Sequence, residues 1–288
     1  MLAKRKVVLF YPAYDGPPLS APLCLLSLAS PLLAAGFEVT IIDAAIAPDW
    51  EARVLREVQD ALCLGISVLT GPMIRGAVRI AKLVKQTKPG CPVIFGGWHP
   101  SLVPGQTLNE RYVDAVVRGQ GELTLLEIAQ RLADRKAFND VAGVSSKPFG
   151  LTQHSPERRT ALLDDLPMAA FHLTDFDAYE RLCGVRKLAY ATSVGCPYAC
   201  NYCTDMVFYK RKFNALSAER VVSEVTGLVE RYRIEEVAML DSNLPVDWRR
   251  AVEIAQGFLD SKLRFNWTFQ ASTDFLCRMS DDDVRMLG

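Results

Sequence analysis

Ala61-Leu-Cys-Leu-Gly-Ile-Ser-Val-Leu-Thr-Gly-Pro72, running into a helical pattern from Met73 to Lys88, reads as one strand, one loop and one helix. The run Ala61 to Ile66 is short and continuously apolar, as a strand buried on both faces requires. The same unit recurs on either side. Lys6-Val-Val-Leu-Phe-Tyr11, Glu38-Val-Thr-Ile-Ile42, Pro92-Val-Ile-Phe95 and Asp114-Ala-Val-Val117 are further apolar runs, with helical patterns at about Ala21 to Ala35, Trp50 to Asp60 and Glu122 to Arg135. Alternation of this kind predicts an α/β, doubly wound parallel sheet over residues 1–145, flavodoxin-like or Rossmann-like.

Ligands of such sheets sit at the carboxyl ends of the strands, near the point where strand order reverses. The loops there are Tyr11 to Ser20, Ser67 to Pro72, Gly96-Gly-Trp-His-Pro100 and Arg118-Gly-Gln-Gly-Glu122. Each is rich in Gly, Pro or Ser. Glycine permits close backbone approach, and helix N-termini after such loops offer free N–H groups. Tight turns alone explain any one of these loops, but four together less well.

In the second half, Gly195-Cys-Pro-Tyr-Ala-Cys-Asn-Tyr-Cys-Thr204 follows the β-prone run Ala189-Tyr-Ala-Thr-Ser-Val194. The spacing of Cys196, Cys200 and Cys203 supplies three thiolates to a four-iron cluster and leaves one iron open to a ligand. Structural zinc wants four ligands, usually as two separated pairs, and no second pair is present. Cys24, Cys63, Cys91, Cys183 and Cys277 are scattered singly and read as small buried hydrophobes. A disulfide framework is not expected in a chain of this length and core composition.

The C-x3-C-x2-C run, with Tyr202 before its last cysteine, resembles the radical S-adenosylmethionine (SAM) signature. The resemblance implies a [4Fe-4S] cluster on Cys196, Cys200 and Cys203, with SAM on the fourth iron. It further implies reductive cleavage to a 5′-deoxyadenosyl radical and an external electron donor such as a flavodoxin or ferredoxin. Downstream, Ser217 to about Arg231 is a capped helix, Glu236 to Leu240 a strand, Asp247 the cap of a helix to Asp260, and Phe265 to Gln270 a strand. A last helix is expected from near Ser280 to Gly288. By family position Asp241 and Asn243, then Gln270 and Asp274, would contact SAM. Position 272 is Ser where that pattern has Arg.

The first half also resembles the cobalamin-binding domains fused ahead of radical SAM barrels. Ser67, Leu69, Thr70, Gly96, Gly97, Trp98, His99, Gly119 and Glu122 are the implied cobalamin contacts, mainly through backbone atoms. The D-x-H-x-x-G motif that places a histidine on cobalt is absent, and His99 reads as a loop residue bonding to backbone or a corrin amide.

Residues 146–186 read as a connector, with a small hairpin at Val141–Ser145 and Lys147–Leu151 and an Asp-Asp-Leu-Pro167 piece like that before such barrels. Residues 187–288 read as the first half of a radical SAM barrel. Three βα units are fewer than the family's barrels have, so a truncated chain, or a partner chain completing the barrel, is expected. The implied function is methyl transfer or radical cyclisation or rearrangement on a small organic substrate; a non-catalytic binding fragment is the alternative.

The 288 residues are half hydrophobic, and 33 basic residues balance 33 acidic ones. That balance gives no electrostatic reason for a nucleic-acid partner or an anionic membrane surface. No apolar run is long enough to span a bilayer, and Lys4, Arg5 and Lys6 lead into a short strand, not a secretory signal. A reducing cytoplasm is the expected compartment.

Overall fold

Apolar runs closed to water on both faces dictate the first sheet. A computed structural model describes residues 5–16, 18 and 20–287; Pro17 and Leu19 of the first expected loop, Lys4, and the Gly288 end of the last expected helix lie outside them. The described chain divides into two units. The first takes the residues to Pro18, Pro22–Ala161 and Pro167–Thr174; the second takes Leu162–Leu166 and Asp175 onward, with Ser20 and Ala21. The stretch read as a connector is thus shared between them.

The first unit runs β1 (Lys6–Tyr11), α1 (Leu23–Ala34), β2 (Glu38–Asp43), α2 (Trp50–Glu57), β3 (Ala61–Ser67), α3 (Met73–Thr87), β4 (Val93–Gly96), α4 (Trp98–Leu102), α5 (Pro104–Leu108), β5 (Ala115–Val117), α6 (Glu122–Ala133), β6 (Val144–Ser146) and β7 (Gln153–His154). Strand order is β2-β1-β3-β4-β5-β6-β7. The first five strands pair in parallel, the doubly wound arrangement that the sequence predicts. Alternation along β1 sends Val8 and Phe10 into one core with Val54 of α2 and Ile80 of α3. Val7 and Leu9 enter the other with Leu25 of α1 and Ile128 of α6.

Two features differ from expectation. The small hairpin has its second strand at Gln153–His154, not Lys147–Leu151, where a 3-10 turn falls at Pro148–Gly150, and it is not a separate connector element: β6 pairs antiparallel with β5, and β7 with β6, extending the sheet. Arg158 holds this extension, its Nε donating to Thr124 Oγ1 at 2.9 Å and its Nη2 to Glu127. The segment after β4 forms two short helices, not a plain loop.

The second unit runs α7 (Phe176–Cys183), β8 (Lys187–Tyr190), β9 (Ser193–Val194), α8 (Asp205–Phe208), β10 (Asn214–Ala215), α9 (Ala218–Tyr232), β11 (Glu236–Met239), α10 (Trp248–Asp260), β12 (Asn266–Thr268), α11 (Thr273–Leu276) and α12 (Asp281–Leu287). β12, β11 and β8 form a parallel sheet, and β9 and β10 an antiparallel pair. The caps are as read from sequence: Ser217 Oγ accepts from Arg220 N, and Asp247 Oδ1 from Arg250 N. Helix α7, capped by Asp175 and stopped by left-handed Gly184, is additional. The single strand expected over Ala189–Val194 is instead split into β8 and β9. Among the described residues, no helix is long and apolar enough to cross a membrane.

Candidate functional site

Strands β1 and β3 are neighbours, yet α1 packs on one face of the sheet and α3 on the other. This is the reversal point at which a doubly wound sheet opens a crevice. The loops after β3, β4 and β5 are tied together beside it. Val68 N donates to Gly96 O at 2.9 Å, and His99 N donates to Val68 O at 3.1 Å. Gly97 lies at φ +89°, where a β-carbon would sit 2.9 Å from Ser67 Oγ and 3.0 Å from both Val68 N and O, so no larger residue fits.

Ser101 Oγ donates to Gly97 O at 2.7 Å and accepts from Gly119 N at 3.1 Å, joining the second and third loops. Sequence reading missed Ser101, because its partner comes from a loop 18 residues away. Gly119, also left-handed, has nothing within 4 Å of where a β-carbon would stand. The chain therefore leaves open backbone surface at that point. Ser67 is buried, Leu69, Gly96, Gly97, Trp98 and Glu122 are half-buried, and Thr70 is exposed.

His99 is half-buried, with Nδ1 3.0 Å from Thr70 Oγ1, and burial lowers its pKa below the usual value. Glu122 opens α6, where burial raises its carboxyl above the usual range against the pull of the Gly121 and Glu122 backbone N–H groups. Cys24 was expected to be buried, but it is exposed, with Sγ 3.6 Å from Ser67 Oγ. It falls in the first turn of α1, at the open end of the sheet, not on a core face. Cys277 is likewise exposed and Cys183 half-buried, whereas Cys63 and Cys91 are buried as expected.

In the second unit the cysteines follow β9. Gly195, at φ +76°, turns the chain into Cys196, and Arg211 Nε donates to Pro197 O at 3.0 Å. Cys203 N donates to Cys200 O at 3.0 Å. All three thiols are half-buried, and Tyr202 is 91% exposed. The charge of Cys200, and a hydrogen bond to it, raise the Tyr202 hydroxyl above its usual pKa. Among the described residues, no three His, Cys, Asp or Glu side chains are gathered to hold a metal ion.

The donor set nonetheless suits an iron–sulfur cluster: three accessible soft ligands on one short loop. Two residues beyond Cys203, Asp205 is buried with Oδ2 unpartnered, leaving an acceptor that the protein's own donors do not use. For cobalamin, the open backbone at Gly119 suits a ligand approached by main-chain atoms, and the reversal of strand order between β1 and β3 is where such sheets receive one.

The other expected contacts are placed differently from one another. Asp241 is 0% exposed and accepts from Thr192 N at 3.0 Å, Thr192 Oγ1 at 2.6 Å and Ser193 Oγ. Asn243 is buried, with Oδ1 accepting from Ser272 N at 3.1 Å and Nδ2 donating to Ser272 Oγ at 3.4 Å. Both side chains are thus engaged by neighbouring loops. Gln270 and Asp274 are exposed.

Comparison with known proteins agrees with these features. Residues 5–129 match the model of the B12 binding domain. An uncharacterised methyltransferase of Pyrococcus horikoshii is 31% identical over 253 residues, 86% of this chain and 54% of that protein. The anaerobic magnesium-protoporphyrin IX monomethyl ester cyclase of Synechocystis is 25% identical over 90% of this chain and 53% of its own length. The chain thus spans about half the length of these relatives. Among solved structures, the cobalamin-dependent S-adenosylmethionine radical enzyme OxsB, with aqua-cobalamin and S-adenosylmethionine bound, superposes with a TM-score of 0.81 at 20% identity. That match covers 99% of this chain and 42% of OxsB, and establishes the shared fold. Residues 5–129 thus match the B12 binding domain, in a chain similar over most of its length to proteins that include the Synechocystis cyclase and the cobalamin-dependent radical SAM methyltransferase TokK of Streptomyces tokunonensis, 28% identical over 72% of this chain and 31% of that protein.

Proposed function

We propose that this chain is the cofactor-bearing part of a cobalamin-dependent radical SAM enzyme, acting on a small organic substrate by methyl transfer or by radical cyclisation or rearrangement. The observation that carries the reading is the half-buried thiol triplet Cys196, Cys200 and Cys203 on one loop beyond a parallel sheet, in a chain whose other unit is a B12-binding domain. When bound, a [4Fe-4S] cluster supplies the electron that cleaves SAM to a 5′-deoxyadenosyl radical, and cobalamin supplies a methyl-carrying cobalt.

The chain's own residues bind and orient. Cys196, Cys200 and Cys203 would hold three irons of the cluster. Tyr202, exposed beside Cys200, and Gln270, also exposed, would offer polar contacts to SAM. Ser67, Leu69, Thr70, Gly96, Gly97, Trp98, His99, Gly119 and Glu122 receive the corrin. A low-potential flavodoxin or ferredoxin delivers the electron.

The test is anaerobic reconstitution with iron, sulfide and cobalamin, followed by SAM and reductant. Release of 5′-deoxyadenosine, lost in Cys200→Ala, supports the reading. Cluster and cobalamin retained without SAM cleavage would instead favour a binding module.

A further inference from the structure

Strand β8 stops at Tyr190, and three residues later the chain pairs with a different strand in a different sheet. Thr192 and Ser193 form the joint and are almost wholly buried. Buried polar groups at such a joint must find partners. Asp241, from the end of β11, takes the Thr192 N–H and both hydroxyls.

Arg250, on the first turn of α10 and 7% exposed, closes the joint from the other side. Its Nη2 donates to Thr192 Oγ1 at 2.9 Å, and its Nη1 to Leu216 O at 3.1 Å and Thr192 O at 3.4 Å. The Thr192 hydroxyl therefore accepts from the guanidinium and donates to the carboxylate, relaying between two buried charges. Leu216 N also donates to Thr192 O, at 2.9 Å, so the chain leaving β10 is held by the same residue. Holding a turn does not require buried charge, which is costly unless paired and hydrogen-bonded.

We propose that Asp241 and Arg250 are positioning residues, a clamp on Thr192 and Ser193 that fixes where the loop carrying Cys196, Cys200 and Cys203 leaves the sheet. Asp241 acts through the joint and makes no contact with SAM, in contrast to the role implied by its family position. The inference rests on the cysteine loop being the cluster's loop, but the clamp itself is measurable without a cluster.

The decisive experiment is amide hydrogen exchange on the cofactor-free full chain, comparing wild type with Asp241→Asn, Thr192→Val and Thr192→Ser. In Asp241→Asn and Thr192→Val, amides of residues 193–204 exchange about tenfold faster, while those of β1 to β5 are unchanged. Thr192→Ser, which keeps the relay hydroxyl, stays at the wild-type rate. After iron loading, the electron paramagnetic resonance line of the reduced cluster shifts in Thr192→Val and not in Thr192→Ser. If Asp241→Asn unfolds the second unit, the two Thr192 variants carry the test alone. Unchanged exchange over 193–204 in Thr192→Val, or Asp241→Asn losing SAM affinity with wild-type exchange, overturns the proposal. Failure of iron to bind wild-type protein overturns the proposed function and leaves the exchange result standing.

Discussion

The backbone of Gly195 lies against the carbonyl oxygen of Lys212, so closely that a β-carbon at Gly195 would collide with it and stand 2.9 Å from Tyr209 Cβ. The cysteine loop starts at this contact, with the chain in a left-handed conformation that other residues adopt at a cost of about 1–3 kcal/mol. Gly195→Ala is therefore expected to push β9 away from β10. Iron retained per chain after anaerobic reconstitution should fall by more than about half, while cobalamin binding by the first unit is kept. Wild-type iron content in this variant would show that the loop does not need this approach.

Gly97 and Gly119 share positive φ but differ in surroundings, and their alanine variants should separate stability from binding. Gly97→Ala meets Ser67 Oγ and the Val68 backbone, so the unfolding free energy of the cofactor-free protein, read from urea titration, should fall by about 2 kcal/mol or more. Adding Ser67→Ala should recover less than half of that loss, since the Val68 backbone remains. Gly119→Ala meets open space and should cost only about 1 kcal/mol, the left-handed penalty. It should instead weaken cobalamin binding about tenfold or more by occupying the open approach. Equal effects of the two variants on cobalamin titration would contradict this division.

Glu122 gives a pH signature. Its carboxyl is raised by burial above the usual glutamate value of 4.5, so between that value and the raised one the folded chain binds more protons than the unfolded chain. The stability it contributes is present in full below about pH 4.5 and is lost as pH rises through the folded value. Glu122→Gln removes the loss. The cofactor-free variant should melt about 1–3 °C above wild type at pH 7 and level with it at pH 4. A gap of the same size at both pH values would assign the effect to packing.

The first sheet was legible because its information is local. A strand buried on both faces must be continuously apolar, and β1 begins and ends at the residues the pattern names, Lys6 and Tyr11. What escaped depends on residues far apart in the chain. The break after β8 needs Asp241, 49 residues beyond Thr192, and nothing in Ala189–Val194 itself announces it. For the same reason the sequence does not announce that Asp241 and Asn243, which family position reads as SAM contacts, are hydrogen-bonded to Thr192, Ser193 and Ser272.

Cys24 misled in the opposite sense: its apolar neighbours belong to α1's core face, but its own position turns it toward the open end of the sheet. The cysteine triplet and the glycine loops were readable because spacing and backbone freedom are properties of short segments.

Whether Cys196, Cys200 and Cys203 hold a cluster with one iron open to SAM is measured by Mössbauer and electron paramagnetic resonance spectroscopy of the anaerobically reconstituted chain. About four irons per chain as a [4Fe-4S] cluster are expected, with a reduced-state signal that shifts when SAM is added. A cluster whose signal ignores SAM, or iron that stays bound when all three cysteines are changed to alanine, would contradict that reading.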